Sequence, residues 1–388
     1  MKIIHITENY IPGWGYQENL LPKYQKLQGH DVIVISDNEH LKYIQNRSLS
    51  NQIIAKGREY EEDGIKVYKI KTYLNTSSTS FLCKGLFPIL QKEKPDIIFH
   101  HNLNTSTLVA AAYYKLKNSN VKLYVDNHVD WINESKKRIW HWLYYDTIMP
   151  SLVYILGDLV DSYIGVSPLR CKYLHQVFNV PETKVRFLPI GCDTNEVQSI
   201  SATRESLRNA NYIPLEDFVI SYGGKIDRSK GVFELIEACK TLKERGEAIH
   251  LILFGKIDNE VEQAIKHLDW ISNMGWCNRS RTMSILKMSD VACWPLLHTT
   301  LIEDAVAAGT PLVVKMSDNV SHFSEAKAGI FLQRGDTDEL IDAMMDIKSN
   351  IDTYRANVLF AREQFSYWTL SKNLENGTFF PYEQYLSL

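Results

Sequence analysis

The chain has 388 residues, more than one hydrophobic core ordinarily serves, so two domains are expected. Hydrophobic residues make up 45% and charged residues 23%, an ordinary globular balance that argues against a disordered chain. The net charge of -3 supplies no basic field for nucleic acid, and no run of 18 apolar residues marks a membrane-spanning helix.

From the first residue, Lys2–Thr7 reads as a buried strand; the segment is too short and turns polar too early for a signal peptide. Short β-branched runs then alternate with helical patterns, which predicts parallel sheets covered by helices. Strands are expected at Asp31–Ser36, Ile65–Ile70, Asp96–His100, Val121–Asp126, Ser162–Val166 and Val185–Pro189. After Pro189-Ile190-Gly191 the pattern restarts. Phe218–Tyr222 is a strand ended by Gly223-Gly224, and Lys230–Arg245 a helix with Leu235, Ile236, Cys239 and Leu242 on one face. Ile249–Phe254, Val291–Trp294, Pro311–Lys315 and Gly329–Leu332 complete the second set of strands. The restart means two Rossmann-like units. Six cysteines (Cys83, Cys171, Cys192, Cys239, Cys277 and Cys293) form no C-x-x-C pair or zinc-like spacing and read as thiols of a reducing, cytoplasmic compartment.

In doubly wound sheets, ligands bind at the carboxyl ends of strands. The loop Tyr10–Glu18 follows the first strand and carries Gly13 and Gly15. A dinucleotide fingerprint would need a third glycine where Glu18 stands, so that rival, with Asp37 as ribose ligand, ranks low. Gly223-Gly224-Lys225-Ile226-Asp227-Arg228-Ser229-Lys230-Gly231 sets two glycines and three cations between a strand and a helix. This suits a diphosphate, though it lacks P-loop spacing, and a solvated charged loop fits it equally. In Pro295–Pro311, Thr299 or Thr300 would cap a helix whose first turn faces an anion. Glu303, one turn in, could accept hydrogen bonds from a ribose diol or simply offset the helix dipole. Asp336-Thr337-Asp338 reads as a helix cap, not a metal ligand.

The segment 135–157 joins Lys136, Lys137 and Arg138 to Trp140, Trp142, Tyr144 and Tyr145. Cations beside aromatics suit weak peripheral contact with a membrane. His141 and Asp146 interrupt the pattern and favour an ordinary helix with a buried aromatic face, or a dimer contact.

In this order the motifs resemble the family-four retaining glycosyltransferases of the GT-B fold. Asp126-Asn127-His128 resembles the strand end carrying that family's donor-site histidine, Asp158–Ser167 resembles its aDxviaxS strand, and Val185–Asp193 its vixNGvD hinge. Gly224-Lys225 through Lys230-Gly231 is similar to its phosphate cradle, with Lys225 in place of arginine, and Glu303–Pro311 to its EAmAxGtP helix. The family's first glutamate would fall at Pro295, and His298 is the nearest polar substitute.

The resemblance implies an α/β chain of two Rossmann-like domains facing a central cleft. Residues 1–191 would form the acceptor side, 192–370 the nucleotide-sugar domain, and 371–388 would cross back. It also implies sugar transfer from a nucleotide-diphosphate sugar to a glycan or lipid-linked acceptor, with retention and with no metal or cofactor. Polysaccharide, glycolipid or glycoprotein glycan assembly is the family's context, in the cytoplasm or at the inner face of the membrane. Gly15, Gly224, Lys225, Lys230, Thr299, Thr300 and Leu301 would hold the donor, with Glu303 on the ribose and His298 near the sugar. His128, Lys225 and Lys230 would act in catalysis. The alternatives are a non-catalytic partner subunit and a nucleotide-sugar epimerase.

Overall fold

The computed structural model describes residues 1–386 except Asn9, Pro12, 38–56, 76–79, Asn104 and Leu297; for Asp37, Leu74, Asn75, Ser80, Phe81 and Thr105 it describes the backbone only. The chain divides into two compact units, Met1–Pro189 with Leu370–Ser387, and Ile190–Thr369.

The sheet of unit 1 is built from β1 (Lys2–Thr7), β2 (Asp31–Asp37), β3 (Glu59–Glu62), β4 (Ile65–Asn75), β5 (Ser80–Lys84), β6 (Ile97–His100), β7 (Lys122–Asn127), β8 (Ser162–Gly165) and β9 (Val185–Phe187). Its order is β3-β4-β2-β1-β6-β7-β8-β9, with β5 on β4. All pairs are parallel except β3 and β5 against β4. The inner strands are buried and largely apolar because helices cover both faces. Ile3, Ile4, Ile33, Val34, Ile98 and Phe99 are wholly or almost wholly buried.

Unit 2 contains β10 (Phe218–Ile226), β11 (Ile249–Ile257), β12 (Ile271–Asn273), β13 (Val291–Trp294), β14 (Leu312–Lys315) and β15 (Gly329–Leu332), parallel in the order β12-β11-β10-β13-β14-β15. Two expectations need correction. Gly223-Gly224 does not end β10, and β11 does not stop at Phe254; both strands continue, with Gly224 paired to Gly255 and Ile226 to Ile257. The helix expected at Lys230 begins at Val232, because Arg228–Lys230 first makes a 3₁₀ turn that ends on left-handed Gly231 (φ 77°). That helix buries Val232, Leu235, Ile236, Cys239 and Leu242 on one face, the spacing of a 3.6-residue repeat. Asp336 caps the helix Thr337–Ser349 by accepting from Glu339 N.

A buried carboxylate ties the base of unit 2 together. Asp290, immediately before β13, accepts from Arg204 (2.8 Å), Arg208 (2.7 Å), Arg355 (2.7 Å) and the Val219 amide (2.8 Å). Removing it strands three cations. Asp290→Ala should therefore cost about 3–5 kcal/mol, seen as a lower urea midpoint for unit 2. An unchanged midpoint would show that these pairs contribute little.

Candidate functional site

In unit 2 the strand order reverses between β10 and β13, so their carboxyl ends flank a topological switch point. The backbone there is set by glycine. Gly224 (φ 107°) and Gly255 (φ 121°) lie so close that a Cβ on Gly255 would fall 2.1 Å from the Gly224 carbonyl oxygen. A Cβ on Gly223 would meet the Phe254 ring at 2.2 Å, and the Gly223 carbonyl accepts from the Trp294 indole N–H at 3.0 Å.

Lys225 projects from this crossing into solvent. Its hydrogen bond to Asp227 (2.6 Å), and then that carboxylate's charge, raise its pKa above the ordinary lysine value. Asp227 also caps the turn that carries Lys230, accepting from Ser229 N at 2.9 Å. Among the described residues the Lys230 ammonium has no carboxylate partner. A Cβ on Gly231 would lie 2.7 Å from Pro295 and 2.9 Å from Leu296, so this turn packs against the loop after β13.

That loop leads into the helix Leu301–Ala308. Thr300 holds the N-cap position but makes no side-chain capping bond; instead the Thr299 hydroxyl accepts from Leu301 N at 3.4 Å. Glu303 is 5% exposed. Its Oε1 lies 3.7 Å from His298 Nε2, while its Oε2 is buried without a hydrogen-bond partner among the described residues. Such an oxygen costs about 1–3 kcal/mol until a donor reaches it. The next residue, Asp304, pairs with Arg279 (3.1 Å), which also reaches Asp193 (3.0 Å). Burial pushes the Asp304 carboxyl up to about 6, against the opposing charge of Arg279.

Beside the glycine crossing opens a cavity of about 440 Å³, lined by Lys225, Phe254, Lys256, Trp276, Cys277 and Leu301 among others. Lys256 and Trp276 escaped the sequence reading. Lys256 lies past the expected end of a strand, on the continuation of β11, and Trp276 follows β12, which was not foreseen.

The unit 1 candidates lie at the ends of β1, β6 and β7. Gly15 is half-buried in the loop before the helix Gln17–Leu27, whose N-cap Tyr16 supplies no side-chain bond. Glu18 occupies its first turn. The side chain of Asp37, the low-ranked ribose ligand, lies outside the described residues. His128 is not a plain core histidine: about a quarter of its side chain is exposed, and Nε2 donates to Asp126 Oδ2 at 3.2 Å. Asp126 Oδ2 also accepts from His101 Nδ1 (2.9 Å), and Oδ1 accepts from the Asn102 amide (2.6 Å). Behind them His101 Nε2 contacts His5 Nδ1 (3.1 Å), and His5 Nε2 contacts Gln25 (2.6 Å). Burial opposes the charge on Asp126, yet His128 and His101 hold its carboxyl far below the usual range. Burial would lower the His128 pKa, but Asp126 outweighs it and raises it. His5 is depressed to about 3, chiefly by burial. Sequence reading missed His5, His101 and Asp126 as partners of His128.

Glu18, His101 and His128 bring potential ligand atoms within 4.8 Å of one another. Both His101 nitrogens are already engaged, so this donor set does not fit a metal ion.

The glycine crossing yields a direct test. In Gly255→Ala the new methyl meets backbone, which cannot yield as a side chain tip would. The strain should cost at least about 1–3 kcal/mol, lowering the urea midpoint of unit 2. An alanine variant as stable as the wild type would show that the two strands separate freely.

Residues 18–196 match the family model described as Glycosyltransferase Family 4, and residues 203–364 that of Glycosyl transferases group 1. Over 62 residues the chain is 36% identical to TuaC of Bacillus subtilis (strain 168), named as a teichuronic acid biosynthesis glycosyltransferase; the match spans 16% of each protein. The fold is similar to that of Anabaena HepE solved with UDP, with TM-score 0.65, 15% identity, and 97% of this chain and 99% of that one covered. It is also similar to a glycosyltransferase of Rickettsia africae ESF-5, with TM-score 0.63, 17% identity, and 100% and 98% covered. Two family models in sequence order and the shared architecture place the chain among the family-four-type glycosyltransferases of the GT-B fold.

Proposed function

We propose that the protein transfers a sugar from a nucleoside-diphosphate sugar to an acceptor hydroxyl, with retention of configuration and without a metal ion. The observation that carries this reading is an orphan buried acceptor in the same unit as two lysines near solvent, of which Lys230 has no carboxylate partner among the described residues. Among the described residues buried Glu303 Oε2 has no donor, as a ribose-binding carboxylate would before its ligand arrives. Lys225 and Lys230 stand on the glycine-bounded loop of the same unit. HepE, of the same fold, has been solved with UDP, with UDP and glucose, and with UDP-glucose.

In this reading Gly224 lets the diphosphate approach backbone, and Lys225, Lys230 and the first turn at Thr299, Thr300 and Leu301 neutralise it. The cavity beneath Trp276 takes the nucleobase. His298, held against Glu303, faces the sugar. The bond from the anomeric carbon to the diphosphate breaks as the acceptor oxygen bonds on the same face. The acceptor proton passes to the departing phosphate oxygen, so no protein nucleophile is required. In unit 1, Gly15 and His128 are the candidates for contact with a sugar.

Lys230→Ala should lower turnover about 10²-fold or more, the order found when a charge-stabilising donor is lost, and wild-type transfer should persist in excess EDTA. Near-full activity in the variant would remove Lys230 from the site. Loss of activity with EDTA, rescued by Mg²⁺ or Mn²⁺, would refute metal independence.

The acceptor side has its own physical signature. No described helix is long and apolar enough to cross a membrane. Yet in 135–157 only part of the aromatic face is buried: Tyr144 and Tyr145 enter the core, while Ile139 and Trp142 are 81% and 62% exposed. Lys137 and Arg138, beside them, make no ion pair among the described residues. Apolar tips next to unpaired cations suit an anionic lipid surface. We therefore favour a lipid-linked acceptor met at the membrane surface. Sedimentation with anionic vesicles at low salt should carry the protein down, and high salt should release it. No pelleting at low salt would leave a water-soluble acceptor.

A further inference from the structure

Within or just past three strands of unit 1 stand polar residues, His5, His101 and Asp126, that are far apart in sequence and adjacent in space. We propose that Asp126 is a positioning residue that fixes His128 by its Nε2, leaving Nδ1 as the nitrogen that gains and loses a proton and meets the ligand, and that His101, His5 and Gln25 hold Asp126 from behind.

The argument begins with what Asp126 can do. It is wholly buried, and an ionised carboxylate only accepts hydrogen bonds. His101 Nδ1 at 2.9 Å and His128 Nε2 at 3.2 Å must therefore both donate to its Oδ2. The Asn102 amide takes Oδ1 at 2.6 Å. With three donors the carboxylate has no reason to turn, and its burial makes neutralisation by a neighbouring cation worth more than it would be in water.

The backing is equally constrained. His101 and His5 are both buried and stack at 5.3 Å between ring centroids. Their ring nitrogens meet at 3.1 Å, and His5 Nε2 ends on Gln25 at 2.6 Å. The run of contacts therefore joins the helix Gln17–Leu27 to β1, β6 and β7. A rotation of His128 about its side chain would break the last link of a chain anchored on four elements.

His128 Nδ1 has no partner among the described residues, and its ring is the exposed end of the chain. While the ring is charged, Nδ1–H is a donor suited to a sugar hydroxyl or phosphate oxygen. Once the ring is neutral, with Nε2–H still bound to Asp126, Nδ1 becomes an acceptor. The groups that set this balance are Asp126 and Glu18, which favour the charged ring, and Arg170, which opposes it; His101 shares the Asp126 oxygen. The elevated proton affinity of His128 accords with this arrangement.

The role of Nδ1 toward a donor sugar rests on the function proposed above; the fixed tautomer and raised proton affinity do not, so they are tested in the full chain without substrate. Histidine ¹⁵N shifts are followed against pH, with the His128 signal assigned through His128→Gln. In the wild type the midpoint should lie above the ordinary ~6.5, with Nε2 protonated on both sides of it and Nδ1 titrating. In Asp126→Asn the midpoint should fall by about 1–3 pH units, the effect of removing an opposite charge in contact. Titration at Nε2 in the wild type, or an unmoved midpoint in the variant, would overturn the proposal. Should Asp126→Asn not fold, the wild-type tautomer decides alone. Either failure leaves the transfer reaction standing, since that is judged by Lys230→Ala.

Discussion

Two backbone segments of unit 2 pass so closely that no side chain fits between them. Gly224 and Gly255 pair in register, each with φ above 100°, and the space a methyl would need on Gly255 is taken by the Gly224 carbonyl. This contact sets the backbone path of β10 and β11 just before Lys225 and Lys256, which pair with each other in the next register position. It also leaves the floor of the neighbouring cavity as bare backbone, the surface a diphosphate can approach most nearly. Trp294 from β13 fixes the Gly223 carbonyl, and Gly231 seats the Lys230 turn against Pro295 and Leu296. Glycine geometry thus joins the cations of one loop to the helix that bears Glu303.

The two units handle charge differently. Unit 2 keeps Lys225 and Lys230 near solvent, where hydration limits their cost and a diphosphate can reach them. Its buried carboxylates are matched with arginine, as at Asp290 and at Asp304, and Glu303 Oε2 stands out against that pattern. Unit 1 buries a carboxylate, Asp126, against the His101 and His128 rings, and that carboxylate raises the His128 pKa against the effect of burial. As pH rises through the raised His128 midpoint, the stability lent by that ion pair is lost; as it falls through the depressed Asp126 value, the same contribution disappears from the acid side.

Much of the fold was legible because inner parallel strands are short, β-branched and closed by turn residues. β1, β13 and β15 run as their residues imply. The edges were not legible. β3 is Glu-Tyr-Glu-Glu, held by antiparallel pairing with β4 rather than by an apolar face, and β12 spans only three half-exposed or exposed residues. Glycine misled at Gly223-Gly224, where it marks a close approach inside a strand and not the strand's end. At the candidate site, the loop motifs drew attention to Lys225, Lys230, Glu303 and His128. The partners of His128 could not be read in the same way: His5 and His101 are 96 residues apart, and Asp126 25 further on, so only the sheet order β1-β6-β7 makes them neighbours. Histidines just past β6 and β7, and one inside β1, were the available signal.

The central claim is that unit 2 grips a nucleoside diphosphate by lysine and backbone, with Glu303 on the ribose. Calorimetric titration of the full chain with UDP and the other nucleoside diphosphates, in metal-free buffer, tests it most directly. The account predicts saturable binding of at least one of them, weakened in both Lys230→Ala and Glu303→Ala. Absence of binding by every nucleoside diphosphate, or binding that neither substitution changes, would contradict it.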